Sequence, residues 1–298
     1  MTFVPYPQNA LKAGVFMVLA MASFVINDTF IKLLAGSVPV GQVIFVRGVM
    51  ATAIIIGMCA KQGVLKDIHY LWDKAVAGRA AFDVAGTVMF ITALMHMPIG
   101  NLTSINQAAP LVVIAFAAIF LKERVGWRRI TAVVVGLIGV AFIAKPEPST
   151  FTVYEGLALL IVLSLAVRDI LTRRIGPGVP SLLIALANSL YVTISGAVMM
   201  GFEAYEPMTA GQIGHLAVSA LFLTSGYMFM VMTLRSGNIA ETAPYRYIIV
   251  LFSVASGAFV FGEWPDGWAA LGMILVVASG LYALHREILL KRTIRPAV

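Results

Sequence analysis

Cysteine is almost missing from this chain: Cys59 is the one thiol in 298 residues. It cannot close an internal disulfide, and no Cys/His spacing suits a metal, so neither a metal nor any other cofactor is expected. Charge is equally scarce. Asp, Glu, Lys and Arg make up 12% of the residues, where soluble domains carry roughly 25%. No phosphate-binding glycine loop, nucleophile elbow or zinc-protease helix appears, so nucleotide-driven pumping and ordinary enzyme chemistry have no support. Linkers are lacking too. Only Lys145–Thr150, KPEPST, reads as one.

What is present is apolar. The chain is 60% hydrophobic with a mean hydropathy of +0.93. A membrane-spanning helix needs about 20 largely apolar residues, and the runs here reach that length. They do not alternate as the strands of a membrane barrel do. The expectation is an all-α integral membrane protein. A pI near 9.6 would suggest nucleic acid in a soluble protein. Here the placement of basic residues explains it, and no nucleic-acid partner is expected. The first run starts behind Lys12 and continues through Asn27 and Asp28, so it reads as an uncleaved span rather than a signal peptide.

Ten spans are expected, at about 13–34, 39–60, 75–96, 99–121, 128–144, 154–174, 180–201, 212–234, 238–261 and 267–285. Pro39, Pro98, Pro180 and Pro265 stand at or near span starts, where a missing N–H costs least. With the N-terminus inside, 16 of the 21 Lys and Arg fall on one side, two (Lys32, Lys145) on the other, and Arg47, Arg168 and Arg246 within spans. That split predicts both termini in the cytoplasm.

The chain also reads as one unit written twice. SFVINDTFIKLLAGSVP, Ser23–Pro39, returns as SLAVRDILTRRIGPGVP, Ser164–Pro180. Asp28/Asp169, Thr52/Thr193, Trp127/Trp268 and Gly139/Gly280 all keep an offset of 141. The expected halves are 1–146 and 153–298. Five spans per half is an odd number, so the second copy enters the membrane from the opposite face. Inverted repeats of this kind recur in secondary transporters, with the substrate near mid-membrane.

Charges inside spans are costly and need partners, water or a function. Asp28, Lys32, Arg47, Arg168 and Asp169 read as intramembrane ion pairs, Asp28 and Lys32 sharing a helix face. Asp28 is also open to reading as a cavity-lining carboxylate. The fourth span opens with many polar residues, and Thr103, Gln107 and Pro110 share one face. Pro110 removes a backbone hydrogen bond and predicts a hinge. The ninth span opens in the same manner, with Glu241, Pro244, Tyr245 and Arg246. Cation, phenols and acid there suit a carboxylate and an amino group. Asp83 on the third span is a further candidate for the cavity, and Phe90 and Tyr227 could stack on an aromatic solute. Gly136, Gly139, Gly272, Ser279 and Gly280 give the fifth and tenth spans small faces for close packing.

Two five-span halves, Pro110 followed by Glu123 within FLKERVGWRRITAVVVGLIGVAFIA, and the echo FGEWPDGWAALGMILVVASGLYAL together resemble the EamA-like branch of the drug/metabolite transporter superfamily. The second half departs from that pattern with Val250 in place of a proline. The resemblance implies alternating access in a bacterial inner-membrane protein. Spans 1–4 and 6–9 would surround a cavity, with 5 and 10 peripheral. Within the superfamily the chain is most similar to exporters of aromatic and other neutral amino acids. NDTFIKLL and VPVGQVIFVRG also resemble importers of riboflavin or S-adenosylmethionine. The expected partners are a small-molecule substrate and the bilayer, with the chain a monomer or homodimer. An alternative of another class is a non-transporting membrane enzyme or assembly subunit, in which every polar group would be internally paired.

Overall fold

The computed structural model describes residues 10–119, 126–144, 152–172, 175–176, 178–236 and 242–294. These form α1 (Ala10–Lys32), α2 (Val40–Gln62), a 3₁₀ segment (Val64–Trp72), α3 (Lys74–Leu94), α4 (Ile99–Asn106), α5 (Ala109–Ile119) and α6 (Trp127–Ala144). They continue with α7 (Val153–Thr172), α8 (Ser181–Met200), α9 (Ala210–Ser236), a second 3₁₀ segment (Ala243–Tyr247), α10 (Ile248–Phe261) and α11 (Gly267–Ile294). No strand occurs among the described residues. Pro39, Pro98 and Pro180 each stand immediately before a helix, at α2, α4 and α8. Asp73 caps α3, its carboxylate accepting from the N–H groups of Ala75 (2.8 Å) and Val76 (3.3 Å).

Eight helices among the described residues are long and apolar enough to cross a membrane. Two expected spans stand outside that set. The apolar part of α6 is short, Ile130–Ala144. The 20-residue α7 carries Glu155, Arg168 and Asp169. The fourth expected span is not one helix but the pair α4 and α5. The chain is a multi-pass helical membrane protein.

The contacts divide it into two compact units, each drawing helices from both sequence halves. The first comprises the described residues of Met1–Val25, Pro98–Phe151 and Ser225–Val298; the second, those of Ile26–Met97 and Thr152–Thr224.

In the first unit α6 lies along α11 and α4 along α10. A methyl group on Gly139 would come 2.8 Å from the Gly272 carbonyl, so the two backbones touch where the small faces predict. Tyr247 fills the space that any side chain at Gly280 would need. The Glu263 carboxylate accepts the Ile99 N–H (3.2 Å), satisfying one of the free donors at the start of α4. Met17, Ala20 and Met21 of α1 pack with Phe229 and Met230 of α9 and Phe252 of α10.

In the second unit α2 runs along α8 and α3 along α7. The Thr52 hydroxyl bonds those of Ser189 (2.7 Å) and Thr193 (3.2 Å) across the α2–α8 contact. The 3₁₀ segment Val64–Trp72 buries Leu71 against Cys59, Leu183 and Leu186. After α8 the chain folds over the start of α2. Glu203 accepts the Gly41 N–H (2.8 Å), while Gln42 donates to the Glu206 carbonyl (3.0 Å) and accepts its N–H (2.9 Å).

Candidate functional site

The break between α4 and α5 follows from Pro110. A proline nitrogen cannot donate to the carbonyl four residues back, here that of Asn106. The chain tightens instead. The Gln107 N–H is shared between the Thr103 and Ser104 carbonyls (3.1 and 3.2 Å), and Ala108 donates to Ile105 (3.0 Å). Leu111 donates to Ala108 (2.9 Å), restarting the helix. In the same unit the 3₁₀ segment Ala243–Tyr247, with Pro244 in its first turn, leads directly into α10. The break between α4 and α5 meets this segment, because the Gln107 side-chain amide donates to the Arg246 carbonyl (3.3 Å).

Around that contact the first unit gathers much of what the sequence nominates. Thr103 is buried, and its hydroxyl has no hydrogen-bond partner among the described residues; the same holds for the side-chain oxygen of Asn106. Tyr245 and Arg246 are exposed. The Tyr245 ring lies against Gly14 of α1. Tyr227 is also exposed, and it meets Phe24 edge to face with centroids 5.5 Å apart. Hydrogen-bonding oxygens, an exposed guanidinium and aromatic faces therefore share one unit. Glu241 lies outside the described residues.

The remaining nominees belong to the second unit. Phe90 is half-buried on α3. Asp83 sits between two arginines: Arg79 one turn before it (2.7 Å) and Arg168 of α7 (3.1 Å). Arg168 also holds Asp169 (2.7 Å), and Arg79 Nε donates to the Thr172 hydroxyl (3.0 Å). In this structure Asp83 is thus an ion-pair partner of Arg79 and Arg168.

Asp28 accepts from the Asn27 side chain (2.8 Å), and Arg47 lies within electrostatic reach of it. Asn27 in turn accepts from Ser219 of α9 (2.7 Å) and, at a longer 3.5 Å, from Arg47. Lys32 reaches past the helix face it shares with Asp28 and donates to the Met97 carbonyl (2.7 Å), in the segment after α3. Sequence reasoning gave no role to Arg79, Asn27 or Ser219, while Asn106 is one of the polar residues that open the fourth span. Arg79 was detectable, since Arg79 and Asp83 are four apart on one helix.

Among the described residues no cluster of His, Cys, Asp or Glu could hold a metal ion. One small open pocket, lined by Pro98, Asn101, Glu263, Trp264 and Asp266, measures about 80 Å³. That is well below the roughly 300 Å³ at which ligand sites begin.

The EamA-like transporter family matches the chain twice, over residues 11–145 and 153–284. The pseudopaline exporter CntI of Pseudomonas aeruginosa is 24% identical over 276 residues, covering 91% of this chain and 95% of that protein. An S-adenosylmethionine uptake transporter of Rickettsia prowazekii is 24% identical over 281 residues, covering 91% and 92%. A riboflavin transporter of Rhizobium johnstonii is 23% identical over 230 residues, covering 77% and 74%. A solved crystal structure superposes with a TM-score of 0.63 at 15% identity, covering 96% of this chain and all of that one, a likeness of fold. With both halves matched, the chain belongs to the EamA-like transporter family.

Proposed function

We propose that this transporter is a secondary carrier of small zwitterionic metabolites, and that it exports aromatic and other neutral amino acids across the bacterial inner membrane. One observation carries the reading: the break between α4 and α5 meets the 3₁₀ segment Ala243–Tyr247 in one unit, at the Gln107 amide and the Arg246 carbonyl. Interrupted helices expose backbone dipoles that can hold charged solutes without a fixed ion. Arg246 would meet the substrate carboxylate, with Thr103 and Gln107 orienting the amino group. Tyr227 and Tyr245 would face the side chain, and Glu241 would supply an acid. Pro110 and Pro244 act as hinges, because a helix that lacks a backbone bond bends there at lower cost.

The carrier has ten spans in two inverted halves, 1–146 and 153–298, with both termini cytoplasmic. The fixed 141-residue offset supports this, as does the hydrogen bond between Thr52 and Thr193, residues that occupy the same place in the two halves. Asp28, Lys32, Arg47, Arg168 and Asp169 are structural charges that hold helices in register. Asp83 joins them, against the cavity role that its sequence position invites.

The names of the relatives favour a second reading, in which the solute is S-adenosylmethionine or riboflavin and the direction is inward. The same polar groups and rings would serve a charged amino-acid end or a planar ring. Flux of labelled phenylalanine, tryptophan, threonine, S-adenosylmethionine and riboflavin into liposomes holding the purified protein separates the two. Saturable amino-acid flux is the expected result. Flux of riboflavin or S-adenosylmethionine alone would replace the first reading with the second. No flux of any solute from inserted, folded protein would overturn both.

A further inference from the structure

We infer that the C-terminal end of α4 is a binding site for a monovalent cationic group, either the ammonium of the substrate or a sodium ion. Oxygens able to accept a hydrogen bond or coordinate a cation gather there. α4 is an eight-residue helix, and the end of a helix carries partial negative charge from its unsatisfied carbonyls. Pro110 removes the donor that the Asn106 carbonyl would otherwise meet, and the Leu111 N–H turns to Ala108. Thr103 and Asn106 are three apart and share a helix face. The Thr103 hydroxyl and the Asn106 side-chain oxygen are both buried, and neither has a hydrogen-bond partner among the described residues. Thr103 itself is 5% exposed.

A buried polar oxygen without a partner costs about 1–3 kcal/mol. Two of them on one face, beside a carbonyl freed by proline, make a costly arrangement for a helix that only packs. A threonine in a helix ordinarily donates to the carbonyl one turn back, as Ser104 does here to Gly100 (2.6 Å). Thr103 does not. The neighbouring Gln107 amide points its N–H at the Arg246 carbonyl, so it does not satisfy these oxygens. A hydroxyl, an amide oxygen and a main-chain carbonyl, each with lone pairs to offer, suit a hard or hydrogen-bonding monocation, and broken helices in transporters present such ends to cations.

The inference deepens the carrier reading by naming which end of a zwitterion, or which coupling ion, binds where. It is tested by binding, so it stands or falls apart from transport. Thermal unfolding of the purified full-length protein in detergent, followed by tryptophan fluorescence, is measured at constant ionic strength. The titrants are sodium chloride, 2-phenylethylammonium chloride, choline chloride as the blank and 3-phenylpropionate as the analogue without a cation. A saturable rise in midpoint with sodium alone assigns the site to an alkali ion. A rise with phenylethylammonium alone assigns it to a substrate ammonium. Thr103→Val and Asn106→Ala should each weaken the apparent affinity about tenfold, the loss of one hydrogen bond to a charged group. Asn106→Asp should tighten it, and this variant decides the matter where the other two fold poorly. No shift with either cation, or a shift unaltered in all three variants, overturns the inference. Failure of amino-acid flux would overturn the proposed substrate and leave this binding result untouched.

Discussion

Replacing Asp83 with Asn separates two readings of that residue. Its carboxylate faces Arg79 at 2.7 Å and Arg168 at 3.1 Å, and its side chain is 7% exposed. At an effective dielectric of about 20, each contact is worth roughly 5 kcal/mol of Coulomb attraction, and desolvation offsets most of it. Removing the acid is a different matter, because two cations are then left together. Breaking a buried pair this way costs about 3–5 kcal/mol. The arginine side chains keep some water, at 17% and 25% exposure. The expected loss therefore lies at the low end, about 3 kcal/mol, or roughly 6 °C at about 2 °C per kcal/mol for a chain of this size. Asp169→Asn is the internal control. Its side chain is 43% exposed, so its pair with Arg168 contributes under about 1 kcal/mol, and its midpoint should move by less than about 2 °C. Both midpoints are read by fluorescence-detected thermal unfolding in detergent, with initial flux rates measured in liposomes. Should Asp83→Asn leave the midpoint within about 2 °C of wild type while raising KM for the solute, the ion-pair account would be refuted, and Asp83 would belong to the substrate path.

Three further outcomes follow from named contacts. Gly280→Ala sets a methyl group where the Tyr247 ring stands, so it should destabilise by about 1–3 kcal/mol through overpacking; the lowered midpoint should be partly restored by adding Tyr247→Ala. Pro110→Ala returns a donor to the Asn106 carbonyl and should close the gap between α4 and α5. The expected result is turnover reduced about tenfold with solute affinity retained, and unchanged turnover would remove Pro110 as a hinge. The pair Asp83→Ser with Arg168→Asn takes both charges out of the α3–α7 contact and should recover at least half of the midpoint lost in Asp83→Ser alone, because no cation of α7 is then left facing α3.

Much of the fold was legible because membrane helices announce themselves by length and composition. Proline could be read as a boundary, and Pro39, Pro98 and Pro180 each precede a helix as the missing N–H requires. Pro110 also foretold an interruption, though not its depth, since one residue does not say whether a helix bends or splits. The close contact of Gly139 with Gly272 followed from small faces alone. The pairing of charges did not follow. The charged residues within the expected spans allow many combinations, and the partner of Asp83 on α7 stands 85 positions away. Lys32 also donates to the Met97 carbonyl, and a main-chain acceptor leaves no mark in a count of charged side chains. The 3₁₀ segment Val64–Trp72 was invisible because nine residues are too short for a span, and its apolar side chains gain their partners only by packing on Cys59 and Leu183.

The two halves also differ in a way that bears on function. Asn27 and Arg168 stand 141 positions apart, the offset that relates the proposed copies. Each sits on the first helix of its half and reaches the third helix of the other half. Asn27 meets Ser219, and Arg168 meets Asp83. One crossing is joined by a neutral amide and hydroxyl, the other by an ion pair. A neutral hydrogen bond contributes about 1 kcal/mol and loses little when broken and rehydrated. A charged pair is costly to break wherever water cannot replace the partner. The α3–α7 joint is therefore the stiffer of the two, and motion within the second unit is expected to begin at the α1–α9 joint, where Asn27 accepts from Ser219.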